Sequence, residues 1–158
     1  MSLAFEWLWG MQWKNRAIDL LLGLDFVRQG RIEPTVFFGK RDFVEAFKKV
    51  VEQYLRDLGY SEPEQELENC LLIRRVTFTT IHGHEPAFTS QASEVEWIAE
   101  AIALHTSNLE IAKSELVRTI IHLSRHLEDG LIKAHHLPSE SEPSVYELIE
   151  KFEATGCL

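Results

Sequence analysis

The stretch DFVEAFKKVVEQYLRDL, residues 42–58, decides the fold. Its apolar residues recur every three or four positions, so that at about 100° per residue they share one side of a helix. Asp42 and Glu45 suit the first turn of this helix, and Gly59 suits the left-handed residue that closes a helix. A helix with one apolar side needs other helices to cover it. The apolar side consists of Phe43, Phe47, Val50, Val51, Tyr54 and Leu58.

Further helices are indicated along the chain in both directions. At four places a Ser precedes a Glu by three residues, which lets the two side chains cap the amides of a first turn. Besides an apolar helix near the N-terminus, the sequence predicts helices over 64–74, 94–105, 109–133 and 145–154. The capping pairs are Ser61/Glu64, Ser93/Glu96, Ser107/Glu110 and Ser144/Glu147.

Two segments between these helices lack a helical pattern. Near residues 75–90, β-branched residues alternate before a Gly and a Pro, which predicts an extended loop or a short strand. Residues 137–144 form a polar linker before the C-terminal helix. The predicted fold class is therefore all-α, a bundle of five or six helices in a single domain over 1–158.

Composition excludes several classes of protein. The chain has 158 residues, 45% hydrophobic and 26% charged, which is typical of one soluble domain. Cys70 and Cys157 are too few and too far apart for a disulfide framework, and this usage is typical of a cytoplasmic protein. The N-terminus is apolar, but Glu6 precedes the first positive charge, and Lys14 and Asp19 interrupt the apolar run. We therefore predict neither a signal peptide nor a membrane-spanning helix.

Histidines are the candidate metal ligands. His122 and His126 lie four apart on one predicted helix, a spacing that can chelate a metal. The metalloprotease pattern requires a Glu directly after the first His, where this chain has a Leu. His82 and His84 form a second pair, for which no third ligand is identifiable. We predict no metal, no cofactor and no catalytic residue, and a histidine-based metal-binding bundle or hydrolase is the alternative.

Two segments carry more apolar residues than one side of a helix needs. The 109–133 helix has a leucine stripe and, away from it, two isoleucines beside arginines. This helix is either buried on two sides or in contact with a partner. Three of the four tryptophans crowd the N-terminus, and an aromatic patch left exposed there would bind a partner. The predicted partner-binding residues are Trp7, Trp9, Trp13, Ile121 and Ile132.

Basic residues occur in pairs, although the formal net charge is −9. Lys40 and Arg41 follow Phe37 and Phe38, and a basic pair beside aromatic rings suits a nucleic-acid backbone and its bases. The excess of acid opposes such binding, because neutralising phosphates requires clustered positive charge.

The helices FGKRDFVEAFKKVVEQYL and KSELVRTIIHLSRHLEDGL, in a chain of this size, resemble the small helical subunits of CRISPR effector complexes. The resemblance is one of architecture over most of the chain. It implies a ribonucleoprotein of antiviral defence, in which small subunits form a helical backbone and help to hold nucleic acid. The residues that would contact phosphates are Lys40, Arg41, Lys48, Arg74, Arg75, Arg118 and Arg125.

The expected function is that of a non-enzymatic helical subunit of a larger assembly or homo-oligomer, which contacts partner subunits and nucleic-acid backbone. A regulatory module that binds another protein through the aromatic N-terminus is a further alternative.

Overall fold

Six α-helices make up the described part of the computed structural model, which covers residues 12–39, 42–108, 114–128, 147 and 150. This part contains no strand, and the prediction of an all-α bundle of five or six helices is confirmed. The predicted linker over 137–144 lies outside the described residues. The helices are α1 (Gln12–Arg28), α2 (Pro34–Phe37), α3 (Asp42–Asp57), α4 (Pro63–His82), α5 (Gln91–His105) and α6 (Glu115–Glu128).

Four of these helices enclose the core. Helix α1 packs against α3 and α6, and α5 packs against the same two helices, so the four form a ring. Each contributes fully buried side chains, such as Leu21, Phe47, Ile102 and Ile120. Helix α4 lies beside this ring and packs against α3 and α5. Within the described residues, the architecture is a four-helix bundle with one long helix added to its side.

Helix α4 is longer than the sequence predicts. It continues through residues 75–82, so the extended segment is shorter than predicted and covers residues 83–90. The Thr80 hydroxyl donates a hydrogen bond to the Val76 carbonyl at 2.9 Å, and Phe78 packs edge-on against Trp97. Gly83, with a φ of 77°, closes the helix. Because β-branched residues each cost only a few tenths of a kcal/mol in a helix, these contacts suffice to extend it.

The start of α5 is joined to the end of α6. Ser90 is the N-cap residue, three residues before the predicted cap Ser93, which instead occupies the third helical position and completes a capping box with Ser90. The backbone amides of Gln91 and Ala92 donate to the Glu128 carboxylate at 2.9 and 2.7 Å. The carboxylate thus satisfies two amides that α5 itself leaves without a partner, and it lies at the positive end of the helix dipole.

Two of the predicted capping serines have other roles. Helix α4 has Glu62 as its N-cap residue, without a side-chain cap, so Ser61 does not cap it. Ser107 has a φ of 55°, which is left-handed rather than extended, and it lies in the turn after α5. Because an N-cap residue is normally extended, Ser107 does not start the next helix as predicted. Glu110 and Ser144 lie outside the described residues.

Candidate functional site

The outward-facing side of α4 is the candidate site. The fully buried residues of this helix, Pro63, Leu67 and Cys70, all lie in its first half. In its second half, three adjacent apolar side chains are exposed to 55%, 59% and 56%, which are Leu72, Ile73 and Val76. Asn69 and Thr80, also exposed, continue the same side of the helix at three- and four-residue spacing. We call these five residues, Asn69, Leu72, Ile73, Val76 and Thr80, the outer face of α4.

The outer face of α4 was not among the binding surfaces predicted from the sequence. A signal was present, because positions 69, 72, 73, 76 and 80 follow the spacing of one helix side. The alternation of Val76, Phe78 and Thr80 with threonines favoured an extended segment instead. Of these three alternating residues only Phe78 is half-buried, and it packs against α5.

An aromatic cluster lies on the side of α4 that faces α5. The Phe78 ring centroid is 4.2 Å from that of His82, 5.7 Å from that of His84 and 5.5 Å from that of Trp97. Phe88, from the loop, packs against Trp97 at 5.7 Å. Both predicted loop histidines therefore have aromatic neighbours, and His82 belongs to the last turn of α4.

A cleft of about 520 Å³ lies between α3, α4, α5 and the loop before α5. Two cations, Lys48 and Arg75, line it together with the Phe88 and Trp97 rings. Three carboxylates also line it, so acidic groups outnumber basic ones. A cleft with this balance repels a polyanion more than it attracts one. The carboxylates belong to Glu68, Glu85 and Glu94.

Several predicted phosphate-binding residues are engaged within the chain. Arg74 donates to Glu100 at 3.0 Å, and its guanidinium lies 4.6 Å from the centroid of the Trp97 ring. Arg125 forms an ion pair with Glu96.

The remaining predicted cations are dispersed. Lys48 lies 3.6 Å from Glu45 on α3, and Arg75 and Arg118 are exposed on different helices. Lys40 and Arg41 lie outside the described residues. Within the described part of the chain, only Lys48 and Arg75 of the predicted set meet at one cleft.

The predicted partner-binding residues that the structure describes lie against the bundle. The Trp13 ring packs edge-on against Tyr54 with centroids 5.4 Å apart, and its backbone amide donates to Asp57 at 3.2 Å. Ile121 is half-buried and packs against the core, as expected if its helix is covered on two sides. Their role in partner binding stays a prediction. Trp7, Trp9 and Ile132 lie outside the described residues.

The second histidine pair lies on α6. The His122 and His126 ring centroids are 4.2 Å apart. Among the described residues, no group of three or more His, Cys, Asp or Glu side chains could hold a metal ion. The arrangement described here therefore supplies histidine pairs without the third and fourth ligands that a closed metal site uses.

Cys70 is a potential nucleophile in the interface between α4 and α5. Its thiol is buried and donates to the Ala101 carbonyl at 3.1 Å. Burial raises the pKa of Cys70 to about 11, while Arg74 acts to lower it and Glu66 to raise it. Because the thiolate is the reactive form, this thiol is protected from reaction at neutral pH.

We expect Cys70 to react slowly with a thiol reagent in the folded protein. Its pKa of about 11, against the usual 9.0, alone lowers the thiolate fraction at about pH 8 roughly 100-fold. The measurement is the rate of reaction with Ellman's reagent in a Cys157→Ser variant, in buffer and in denaturant. Reaction in buffer at the rate seen in denaturant would contradict the burial of this thiol.

Comparison with protein-family models, with curated proteins and with solved structures finds no match to this chain. The geometry of the outer face of α4 therefore carries the functional argument. None of the helices in the described part has the length and apolar character that crossing a bilayer requires.

Proposed function

We propose that this protein is a non-enzymatic helical subunit of a larger assembly, and that it binds a protein partner through the outer face of α4. One observation carries the proposal: Leu72, Ile73 and Val76 lie side by side and more than half exposed on a helix outside the four-helix ring. A helix that served only as a solvated cover would place polar residues there. Covering these side chains would gain on the order of 1 kcal/mol for each.

The composition of this surface favours a protein over a nucleic acid. The outer face of α4 carries three apolar and two neutral polar side chains, and Arg75 lies at its edge, where it lines the same cleft as Glu68. Apolar centres with Arg and polar groups at the rim are typical of protein interfaces. A phosphate backbone would require clustered positive charge instead.

The test is isolation of the tagged protein from its source cells, followed by native mass measurement of what accompanies it. A Val76→Glu variant places a charge at the centre of the outer face, and we expect it to lose the partner. The matched control is Val36→Glu, because Val36 is also an exposed valine, 67% against 56% for Val76, and lies on α2. Circular dichroism should show that both variants retain the helical content of the wild-type protein.

The outcome of this pair of variants decides the proposal. Loss of the partner from Val76→Glu with retention by Val36→Glu supports it. Retention by both variants would show that the partner binds elsewhere, for example at the aromatic N-terminus.

Nucleic acid is a second candidate partner, as the resemblance to CRISPR small subunits implies. What favours it is the cleft that brings Lys48 and Arg75 together with Trp97 and Phe88, since cations beside aromatic rings suit single strands. The three carboxylates in the same cleft weaken the attraction, so we expect binding that is lost by about 0.2 M salt. Nuclease treatment before the native mass measurement tests this: release of partners by RNase or DNase supports a ribonucleoprotein, and no release contradicts it.

A further inference from the structure

We infer that the outer face of α4 pairs with the same face of a second copy of this chain, with the two helices antiparallel. This inference rests on the proposed function, which assigns that face to protein binding, and it specifies the partner. The first argument for it is the distribution of charge along α4. Acidic residues occupy the first half of the helix, with Glu64, Glu66 and Glu68. The second half carries Arg75, which is exposed, and Arg74, which is paired with Glu100 of α5.

Antiparallel pairing matches these two halves. The acidic half of one α4 then lies along the basic half of the other, and the two helix dipoles oppose each other. Parallel pairing would place acidic residues beside acidic residues and arginines beside arginines, which is unfavourable. The charge pattern therefore selects the antiparallel arrangement for a symmetric dimer.

The spacing of the outer face is compatible with a two-fold axis. A two-fold axis that passes between Leu72 and Ile73 places Leu72 of one copy opposite Ile73 of the other. It also places Val76 of one copy opposite Asn69 of the second. This axis pairs four of the five members of the face with one another, and Thr80 comes opposite Gln65, which is also exposed and polar. The surface is therefore self-complementary in the way that an isologous contact requires.

Glu68 and Arg75 provide a specific pair at the edge of this interface. Seven positions apart on one helix, they are separated by about 10 Å along its axis, which is too far for an ion pair within the chain. Both are exposed, and neither forms an ion pair with another residue in the part of the chain that the structure describes. Across the two-fold axis Glu68 of each copy lies on the same flank as Arg75 of the other, offset by two residues or about 3 Å along the helix. Side chains of this length span that offset, which gives two ion pairs in each dimer.

The size of this surface sets the strength of the contact. Three half-exposed aliphatic side chains offer on the order of 100 Å² each, which is well below the area of a standard permanent interface. We therefore expect a reversible dimer with a Kd of about 10–100 µM. An assembly that holds several copies side by side would raise their effective concentration, so that the same contact would form more completely.

The experiment is sedimentation velocity of the full-length chain between about 5 and 500 µM. We expect the wild-type protein to shift from monomer to dimer over this range, Val76→Glu to remain a monomer, and Val36→Glu to behave as wild type. Both valines are exposed, so neither variant should lose its fold, which circular dichroism checks.

Charge reversal tests the antiparallel geometry. Glu68→Arg and Arg75→Glu should each raise the Kd about tenfold, because each replaces two attractions by two repulsions. The double variant Glu68→Arg with Arg75→Glu should restore the wild-type Kd within a factor of about three, since both pairs are attractive again. In a parallel dimer the double variant would retain the repulsion between like residues.

Each result has a defined meaning. Dimerisation that Val76→Glu abolishes and the double reversal restores supports the inference. A monomer at every concentration overturns it but leaves the proposed function intact if Val76→Glu still loses a different partner. A dimer that none of these variants affects also overturns it, because the contact then lies on another surface. The proposed function itself fails only if Val76→Glu changes neither self-association nor partner capture.

Discussion

Replacing Phe47 by Ala is expected to lower the free energy of unfolding by about 3–5 kcal/mol. Phe47 is 1% exposed in the middle of α3, the helix that contacts α1, α4 and α5. Removing its ring leaves a cavity that three neighbouring helices must close, and the bundle can collapse only partly around it. Since domains of this kind are stable by about 5–15 kcal/mol, the variant should show a strongly lowered midpoint in urea.

Phe88→Ala is the matched control for this prediction. Phe88 is 40% exposed in the loop before α5, and its ring packs edge-on against Trp97. We expect Phe88→Ala to lower the free energy of unfolding by less than about 1 kcal/mol. Equal losses from the two variants, measured by urea denaturation, would contradict a core centred on α3.

Among the predicted helices, α3 is the one whose buried residues the sequence predicts best. Phe43, Phe47, Val50, Val51 and Tyr54 are buried as their spacing predicts. Leu58 is 49% exposed, because α3 ends at Asp57 and the stripe extends one residue beyond it. A helix that is covered on one side has apolar residues at regular spacing, and this spacing is visible within a short stretch of sequence. Such a helix can therefore be predicted without knowledge of its neighbours.

Helix α4 shows where local inference fails. Its second half is held by a cap at Gly83 and by the contact of Phe78 with Trp97, which is far away in the sequence. No local pattern reveals that contact, and the β-branched residues indicate strand on propensity alone. The outer face of α4 was missed for the same reason, because a helix side can be identified only where a helix is expected.

The ion-pair partners of charged residues also could not be predicted from the sequence. The sequence predicts Arg74 and Arg125 as phosphate contacts and does not indicate that Glu96 and Glu100 lie beside them. In the structure these four residues form two ion pairs that join α4 and α6 to α5. Pairs of residues more than twenty positions apart leave no trace in a single sequence, so these two ion pairs could not be predicted.

Replacing Glu128 by Ala is expected to lower the free energy of unfolding by about 1–3 kcal/mol. The Glu128 carboxylate accepts hydrogen bonds from the amides of Gln91 and Ala92 at 2.9 and 2.7 Å, which connects the last turn of α6 to the first turn of α5. Ala removes both charge-assisted bonds and leaves two amides at a half-buried helix start without partners. Urea denaturation followed by circular dichroism gives the size of the loss.

Two further variants separate the cap from a general effect of charge. Glu128→Gln keeps an oxygen that can accept from one amide, so we expect it to lose roughly half as much as Ala, about 0.5–1.5 kcal/mol. Glu85→Ala removes an exposed carboxylate from the loop before α5 and should stay within about 0.5 kcal/mol of wild type. Equal effects of Glu128→Ala and Glu85→Ala would mean that the protein responds to lost negative charge rather than to the lost cap. We expect the free energy of unfolding to be lowest for Glu128→Ala, intermediate for Glu128→Gln and highest for the wild type. This order requires that the Glu128 carboxylate caps the start of α5.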